Sequence, residues 1–215
     1  LYDVAEQTFA GVPQCHDFTH TLRVLRNAEL LLEREPPCDS FAVRVGALLH
    51  DIGRPCELTG EKKADTAAVG AKKAGVLLRA CGCADEDFIR HVCDIVRTHR
   101  FRGKEKPATP EAEIVYDADK LDSLGAYGIA RAFHFAGRIG ACIHNEADAA
   151  LSSESYSKED SAYREYLVKL RNLPERMLTA SGRALAEERA EFMRAFFERL
   201  NAESVWPADA PERKA

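Results

Sequence analysis

Two short segments carry residues able to do metal and acid–base chemistry. His50-Asp51 closes an apolar run and is followed by Ile52-Gly53-Arg54. A histidine and a carboxylate at the end of such a run cost free energy unless something satisfies them. Asp117-Ala118-Asp119-Lys120-Leu121-Asp122 sets three carboxylates within six residues, among Val115, Ala118 and Leu121. At helical spacing Asp119 and Asp122 share a face and Asp117 points elsewhere. A third segment, His16-Asp17-Phe18-Thr19-His20, leads into a helix with its two histidines one turn apart. Alone it reads as a capping Asp17 with surface histidines. Together the three segments supply imidazoles and carboxylates, a donor mixture suited to manganese, iron, cobalt, nickel or zinc rather than to soft thiolate sites.

The elements that must position these residues are helical. Apolar residues recur at helical spacing through nearly the whole chain, and no stretch alternates convincingly enough for a strand. Leu22, Leu25, Ala28, Leu31 and Leu32 mark a helix from Phe18 to Glu35, stopped by Pro36-Pro37. Asp39 or Ser40 caps the next helix, through Phe41, Val45, Leu48 and Leu49 to Ile52. Being apolar on most faces, it belongs at the centre of the fold. Ala67–Ala80 follows, then a turn at Cys81-Gly82-Cys83, then a helix capped by Asp85 that carries Phe88, Val92, Ile95, Val96 and His99. Ile114 to Leu124 and Ile129 to Gly137 give two more. Ser161–Arg171 and Gly182–Ala202 close the chain, the last with Leu185, Phe192, Phe196, Phe197 and Leu200. The expectation is an all-α bundle of roughly eight or nine helices in one domain over residues 1–203. The small, polar segment Asn145–Asp160 reads as a mobile loop and residues 204–215 as a disordered tail.

Composition bounds the function. The chain has 215 residues, of which 35 are acidic and 30 basic, for a net charge of −5. That balance argues against a protein that coats nucleic acid. The basic stretch from Arg97 to Lys106 reads as a solvated loop that could attract a triphosphate. No apolar stretch approaches a membrane span. The seven cysteines are scattered, without a C-x-x-C pair, so a reducing cytoplasm is expected. His134 and His144 lack any such context and read as structural.

His20, then His50-Asp51, then Asp119 resembles the H…HD…D signature of the HD-domain superfamily of metal-dependent phosphohydrolases. The strings CHDFTHTLRVLRNAE, ALLHDIGR, IVRTHRF, DADKLDSLGAYGIARAF and RMLTASGRALAEERAEFM are similar to a small bacterial branch, the YpgQ-type HD proteins. The resemblance runs from about Cys15 to Glu203. It implies a compact helical HD domain and a nucleotide pyrophosphohydrolase, cleaving a nucleoside triphosphate to monophosphate and pyrophosphate. It implies His20, His50, Asp51 and Asp119 as ligands of one divalent metal, with manganese favoured and nickel, iron, cobalt, zinc or magnesium as alternatives. Asp119 is preferred to Asp117 because the last ligand of the family sits in an Ala-Asp-x-Leu context. Thr66 stands where relatives with two metals often carry a histidine, and His91 and His99 form no adjacent pair, which favours one metal.

On this reading a metal-bound water attacks phosphorus, and cations offset the charge that develops. Arg54, Lys120 and Arg23 are the candidate substrate-binding cations. Asp122 is a candidate general base or water-orienting group, or else the partner of an arginine. His99 is a candidate phosphate contact or leaving-group acid, or a helix-terminal histidine. The alternatives are a phosphomonoesterase such as a 5′-nucleotidase, a cyclic-nucleotide phosphodiesterase, or a non-catalytic nucleotide-sensing module. The expected partner is a small nucleotide.

Overall fold

A computed structural model of the protein describes residues 1–9, 18–54, 65–100 and 105–204. Among them there are ten α-helices, two 3-10 turns and no strand. The fold class expected from the sequence is therefore the one observed. The helices are α1 (Tyr2–Thr8), α2 (Phe18–Leu32), α3 (Ser40–Leu49), α4 (Thr66–Ala80), α5 (Glu86–Thr98), α6 (Pro110–Leu121), α7 (Gly125–Arg138), α8 (Ala147–Ser152), α9 (Ala162–Val168) and α10 (Ala180–Ser204). His16, Asp17, Cys15, Cys56, most of the polar segment after Pro55, Arg102, Lys104 and the chain after Ser204 lie outside the described residues.

Helix starts follow the sequence closely. Asp39 accepts from the backbone N–H of Phe41 and Ala42, both at 3.0 Å, and so caps α3. Asp85 does the same for α5. Thr109 caps α6, which has Pro110 at its first position, where a missing N–H costs nothing. Gly82 turns the chain between α4 and α5 with φ of +87°.

α3 lies at the centre, as its sequence implies: Ala42, Val43, Val45, Gly46, Ala47, Leu48 and Leu49 are all buried. Each fully buried Val or Leu side chain contributes about 1.5–3 kcal/mol, enough to hold this helix between two apolar clusters. One cluster gathers Val24, Leu31, Val43, Val115, Leu121 and Phe197 from α2, α3, α6 and α10. The other gathers Leu49, Ile52, Ala74, Leu78, Ile89, Val92 and Val96 from α3, the turn after it, α4 and α5. The His50-Asp51 pair sits where they meet.

Three details differ from the sequence reading. α3 ends at Leu49, so His50 is its C-cap and Asp51 lies on the following turn. A Cβ on Gly53 would stand 2.2 Å from the Thr66 carbonyl oxygen, so only glycine lets this turn press on the start of α4. Second, Asn145–Asp160 is not a bare loop. It contains α8 and is tied down, Asn145 Nδ2 donating to the Glu159 carbonyl at 2.9 Å and Cys142 N–H to that of Lys158 at 2.8 Å. Third, Phe192 is 54% exposed. α10 turns Leu185, Ala186, Met193 and Phe197 inward instead, and Phe197 stacks on Tyr166 with ring centroids 4.5 Å apart.

Candidate metal centre

Three donors, His20, His50 and Asp51, meet between α2 and the turn after α3, and Asp119 of α6 stands beside them. His20 is on the inner face of α2 and His50 caps α3, both fully buried. The two imidazole Nε2 atoms are 3.2 Å apart. Asp51 Oδ2 lies 3.7 Å from each of them. Asp119 Oδ1, from the last turn of α6, lies 3.4 Å from His20 Nε2 and 3.9 Å from His50 Nε2. Of the four residues named from the sequence, His20, His50 and Asp51 have ligand atoms all within 4.8 Å of one another, and Asp119 stands beside the two imidazoles.

Tautomers follow from the remaining hydrogen bonds. His20 Nδ1 is 2.7 Å from Asp122 Oδ2, and an ionised carboxylate only accepts, so Nδ1 donates. His50 Nδ1 donates to the Ala47 carbonyl at 2.8 Å, and His99 Nδ1 to that of Val96 at 2.6 Å. Each neutral ring therefore carries its lone pair on Nε2. Two lone pairs face one another across 3.2 Å in a buried space, beside two carboxylates. His99 Nε2 is buried with no hydrogen-bond partner, 3.4 Å from Asp51 Oδ1. With both rings neutral such an arrangement is repulsive, and either a proton on His20 Nε2 or a metal ion relieves it. Two ligands about 2.1 Å from a common ion lie about 3.0–3.5 Å apart at ordinary bond angles, close to the separations found. Two imidazoles with two carboxylates are also the chemistry of a borderline divalent metal. The donor set fits such an ion.

Protonation agrees. Burial and the neighbouring imidazoles push the His50 pKa down to about 4, so the ring is neutral near pH 7. For His20 burial works in the same direction, but its bonds to Asp119 and Asp122 outweigh it and leave the pKa raised. Burial also resists ionisation of Asp119, yet Lys120 and the two histidines hold its carboxyl well below the usual range.

Around the donors stands a ring of charged residues. Asp122, only 2% exposed, accepts from His20, from Arg23 Nε at 2.6 Å and from Arg131 Nη1 at 2.5 Å. Those bonds hold its carboxyl low despite burial. It stands on the far side of the His20 ring from the donor cluster. Arg23 also lies over the Tyr127 ring at 4.5 Å. Arg54 Nε donates to Asp51 Oδ1 at 2.9 Å. Lys120 is 6% exposed: its Nζ donates to Asp119 Oδ2 at 3.1 Å and to the His99 carbonyl, and rests 3.8 Å over the Tyr116 ring. Asp117 points away from the donors, as the spacing implies. It accepts from the N–H of Leu178 and Thr179 at the start of α10, at 3.0 and 2.8 Å, and from the Thr179 hydroxyl at 2.7 Å. His91 lies apart, 3.3 Å from Glu111, and Thr66 is bonded to Arg100. His144 is bonded to Asn201 at 2.8 Å.

The sequence reading missed Arg131 and Asn27. Asn27 donates to the Ala118 carbonyl at 3.0 Å and accepts from Arg189 at 2.9 Å, joining α2, α6 and α10. Its polarity on the buried face of α2 was the signal that would have found it. Arg131 gave none, since an arginine on an amphipathic helix ordinarily faces water.

No helix among the described residues is long and apolar enough to cross a membrane. The described cysteines, Cys38, Cys81, Cys83, Cys93 and Cys142, are free thiols. Comparison with known proteins gives these features a family. Residues 17–124 match the HD domain. The chain is 37% identical over 188 residues, 86% of its length and 82% of the relative's, to the uncharacterized protein YpgQ of Bacillus subtilis (strain 168). It superimposes on the crystal structure of Bacillus subtilis YpgQ in complex with ADP with a TM-score of 0.70, at 32% identity, covering 97% of this chain and 95% of that one. The crystal structure of a predicted HD superfamily hydrolase from an uncultured Thermotogales bacterium gives a TM-score of 0.67 at 30% identity, covering 94% of this chain and 90% of that one. The chain belongs to the HD-domain family and is a metal-dependent phosphohydrolase of that superfamily.

Proposed function

We propose that the protein is a nucleotide pyrophosphohydrolase, cleaving a nucleoside triphosphate to the monophosphate and pyrophosphate. His20, His50, Asp51 and Asp119 hold one divalent ion, manganese by preference. The observation that supports a nucleotide is the similarity over nearly the whole chain to a YpgQ structure containing ADP. When bound, the ion supplies Lewis acidity toward a phosphoryl oxygen and toward a water nucleophile.

The chain's own residues have distinct tasks in this reading. Asp122 fixes the His20 tautomer, so that Nε2 presents its lone pair to the donor cluster. That makes it a positioning residue rather than a base. Lys120 steadies Asp119 and the end of α5, and its burial leaves it little surface for substrate. Arg54 and Arg23, 19% and 21% exposed at the side chain, are the cations left to meet phosphate oxygens. His99, with Nδ1 committed to Val96, presents a lone pair on Nε2, so in this reading it takes up a proton from the attacking water before passing it to the departing pyrophosphate.

The test is to incubate purified protein with a panel of nucleoside triphosphates and Mn2+, and to identify the phosphorus product by 31P NMR. Pyrophosphate with monophosphate is the expected outcome. Orthophosphate with diphosphate, or turnover of monophosphates, overturns the reading in favour of a phosphomonoesterase.

A further inference from the structure

His20, His50, Asp51 and Asp119 share one feature. Each has a second polar atom, and each of those atoms is fastened. His20 Nδ1 is held by Asp122 and His50 Nδ1 by the Ala47 carbonyl, so each ring offers its Nε2. The carboxylates are treated alike. Asp51 Oδ1 accepts from Arg54 Nε at 2.9 Å, while Oδ2 stands 3.7 Å from both imidazole Nε2 atoms. Asp119 Oδ2 accepts from Lys120 Nζ at 3.1 Å, while Oδ1 stands 3.4 Å from His20 Nε2. In each carboxylate one oxygen faces the imidazoles and the other faces a cation.

The fold holds both cations where they are. Residues next to one another on a helix do not ordinarily face each other. Lys120 turns back to Asp119 nevertheless, because its Nζ lies 3.8 Å over the Tyr116 ring one turn earlier and also bonds the His99 carbonyl beyond α5. It is 6% exposed, so giving up the Asp119 bond would leave a buried ammonium short of an acceptor. Arg54 is held by its own turn. Its N–H donates to the Asp51 carbonyl at 2.9 Å, and Gly53 lets that turn press on the start of α4.

The consequence lies in which ions such a site accepts. Calcium takes roughly six to eight oxygen ligands and often draws both oxygens of a carboxylate. A carboxylate with one oxygen bonded to a guanidinium or an ammonium gives it one oxygen in place of two. A transition-metal ion, which also favours the imidazoles, loses less by this restriction.

We propose that Arg54 and Lys120 are positioning residues that hold Asp51 and Asp119 to one donor oxygen each, and so set the preference of the site for a divalent transition metal over calcium. The inference rests on the four-ligand reading given under the proposed function.

The test uses the metal-stripped, full-length protein without nucleotide. Mn2+ affinity is read from the EPR signal of the free ion, and Ca2+ affinity from its displacement of Mn2+. The wild type should bind Mn2+ the more tightly. In Lys120→Met and in Arg54→Met the ratio of the two affinities should shift about tenfold toward Ca2+, the scale on which outer-sphere partners act. Lost charge does not mimic this, because it acts alike on two ions of equal charge. Arg23→Met removes a cation bonded to Asp122 rather than to a ligand, and should move both affinities together, the ratio staying within about twofold. Melts in EDTA establish folding, and Arg54, 19% exposed at the side chain, carries the test should the Lys120 variant not fold. A wild type that prefers Ca2+, an unchanged ratio in Arg54→Met, or an equal shift in Arg23→Met overturns the proposal and leaves the ligands standing. Mn2+ bound by His50→Ala as tightly as by the wild type overturns the ligand reading, and this inference with it.

Discussion

Asp122→Asn separates two roles for a residue that faces His20. The carboxylate accepts four bonds: His20 Nδ1 at 2.7 Å, Arg23 Nε at 2.6 Å and Nη2 at 3.2 Å, and Arg131 Nη1 at 2.5 Å. An asparagine of the same shape presents one acceptor oxygen and places N–H bonds against at least one of these donors. The His20 ring then loses the bond that selects its tautomer. Loss of such an outer-sphere carboxylate typically weakens metal binding about 10–100-fold, or about 1.4–2.7 kcal/mol. Two guanidinium groups also lose their counter-charge. Their side chains are 21% and 19% exposed, so water recovers part of the ~3–5 kcal/mol cost of breaking a fully buried pair, and about 2 kcal/mol is the expected loss. For a chain of this size that lowers Tm by about 4–8 °C. Mn2+ titration followed by calorimetry reads the first quantity, and melting in EDTA reads the second. Metal affinity unchanged within twofold, with a kcat loss and an altered pH profile, would make Asp122 an acid–base group and refute the positioning argument.

Two further outcomes follow from the same geometry. Mn2+ affinity should fall about tenfold per pH unit once pH drops below the raised pKa of His20, because one proton then competes for Nε2. The sign is opposite for the metal-free fold, which gains from protonated His20 at low pH and loses that gain as pH rises through the raised pKa. His50, at about 4, adds a second proton only in stronger acid, so a slope of two protons near neutrality would contradict the tautomers. Asp117→Ala should leave Mn2+ affinity within about twofold, yet cost about 2–4 kcal/mol of stability. It strands the buried donors of Thr179 and the part-buried N–H of Leu178. Circular dichroism melts and Mn2+ titration check both halves; lost metal with an unchanged melt would make Asp117 the ligand in place of Asp119.

The sequence showed the donors better than their support. His50-Asp51 was legible because a His-Asp pair ending an apolar run has few inexpensive explanations. The caps of α3 and α5 were legible because Asp39 and Asp85 accept from the N–H groups two and three residues further on. What the sequence left hidden depends on contacts distant in the chain. Lys120 has the local look of a substrate cation, but its stem folds over Tyr116 and its charge is spent on Asp119. Arg131 gains its role only when α7 packs beside the end of α6. The segment from Asn145 to Asp160 has the composition of a loop, yet Asn145 and Ser161 join across it, hydroxyl to amide oxygen at 2.6 Å. Composition does not show which polar groups will find each other.

The acidic run in α6 resolves into three tasks, and its spacing explains why all three are needed. Asp119 faces the donor cluster, and two residues earlier Asp117 faces the opposite way, fastening the entry to α10. Three residues later Asp122, at the helix C-cap, turns to His20 and two arginines. A Cβ on Gly182 would stand 2.3 Å from Asp117 Oδ2, so α10 approaches that carboxylate as closely as backbone allows. α6 is therefore fixed on one face by α10 and at its end by α2 and α7. Sliding it by one residue would strip Asp117 and Asp122 of their partners together, at a cost of several kcal/mol. The register of Asp119 is set by these two neighbours and does not wait for a metal. Between the two imidazole Nε2 atoms, 3.2 Å apart, a divalent ion would take the place of the proton that the raised pKa of His20 otherwise holds there.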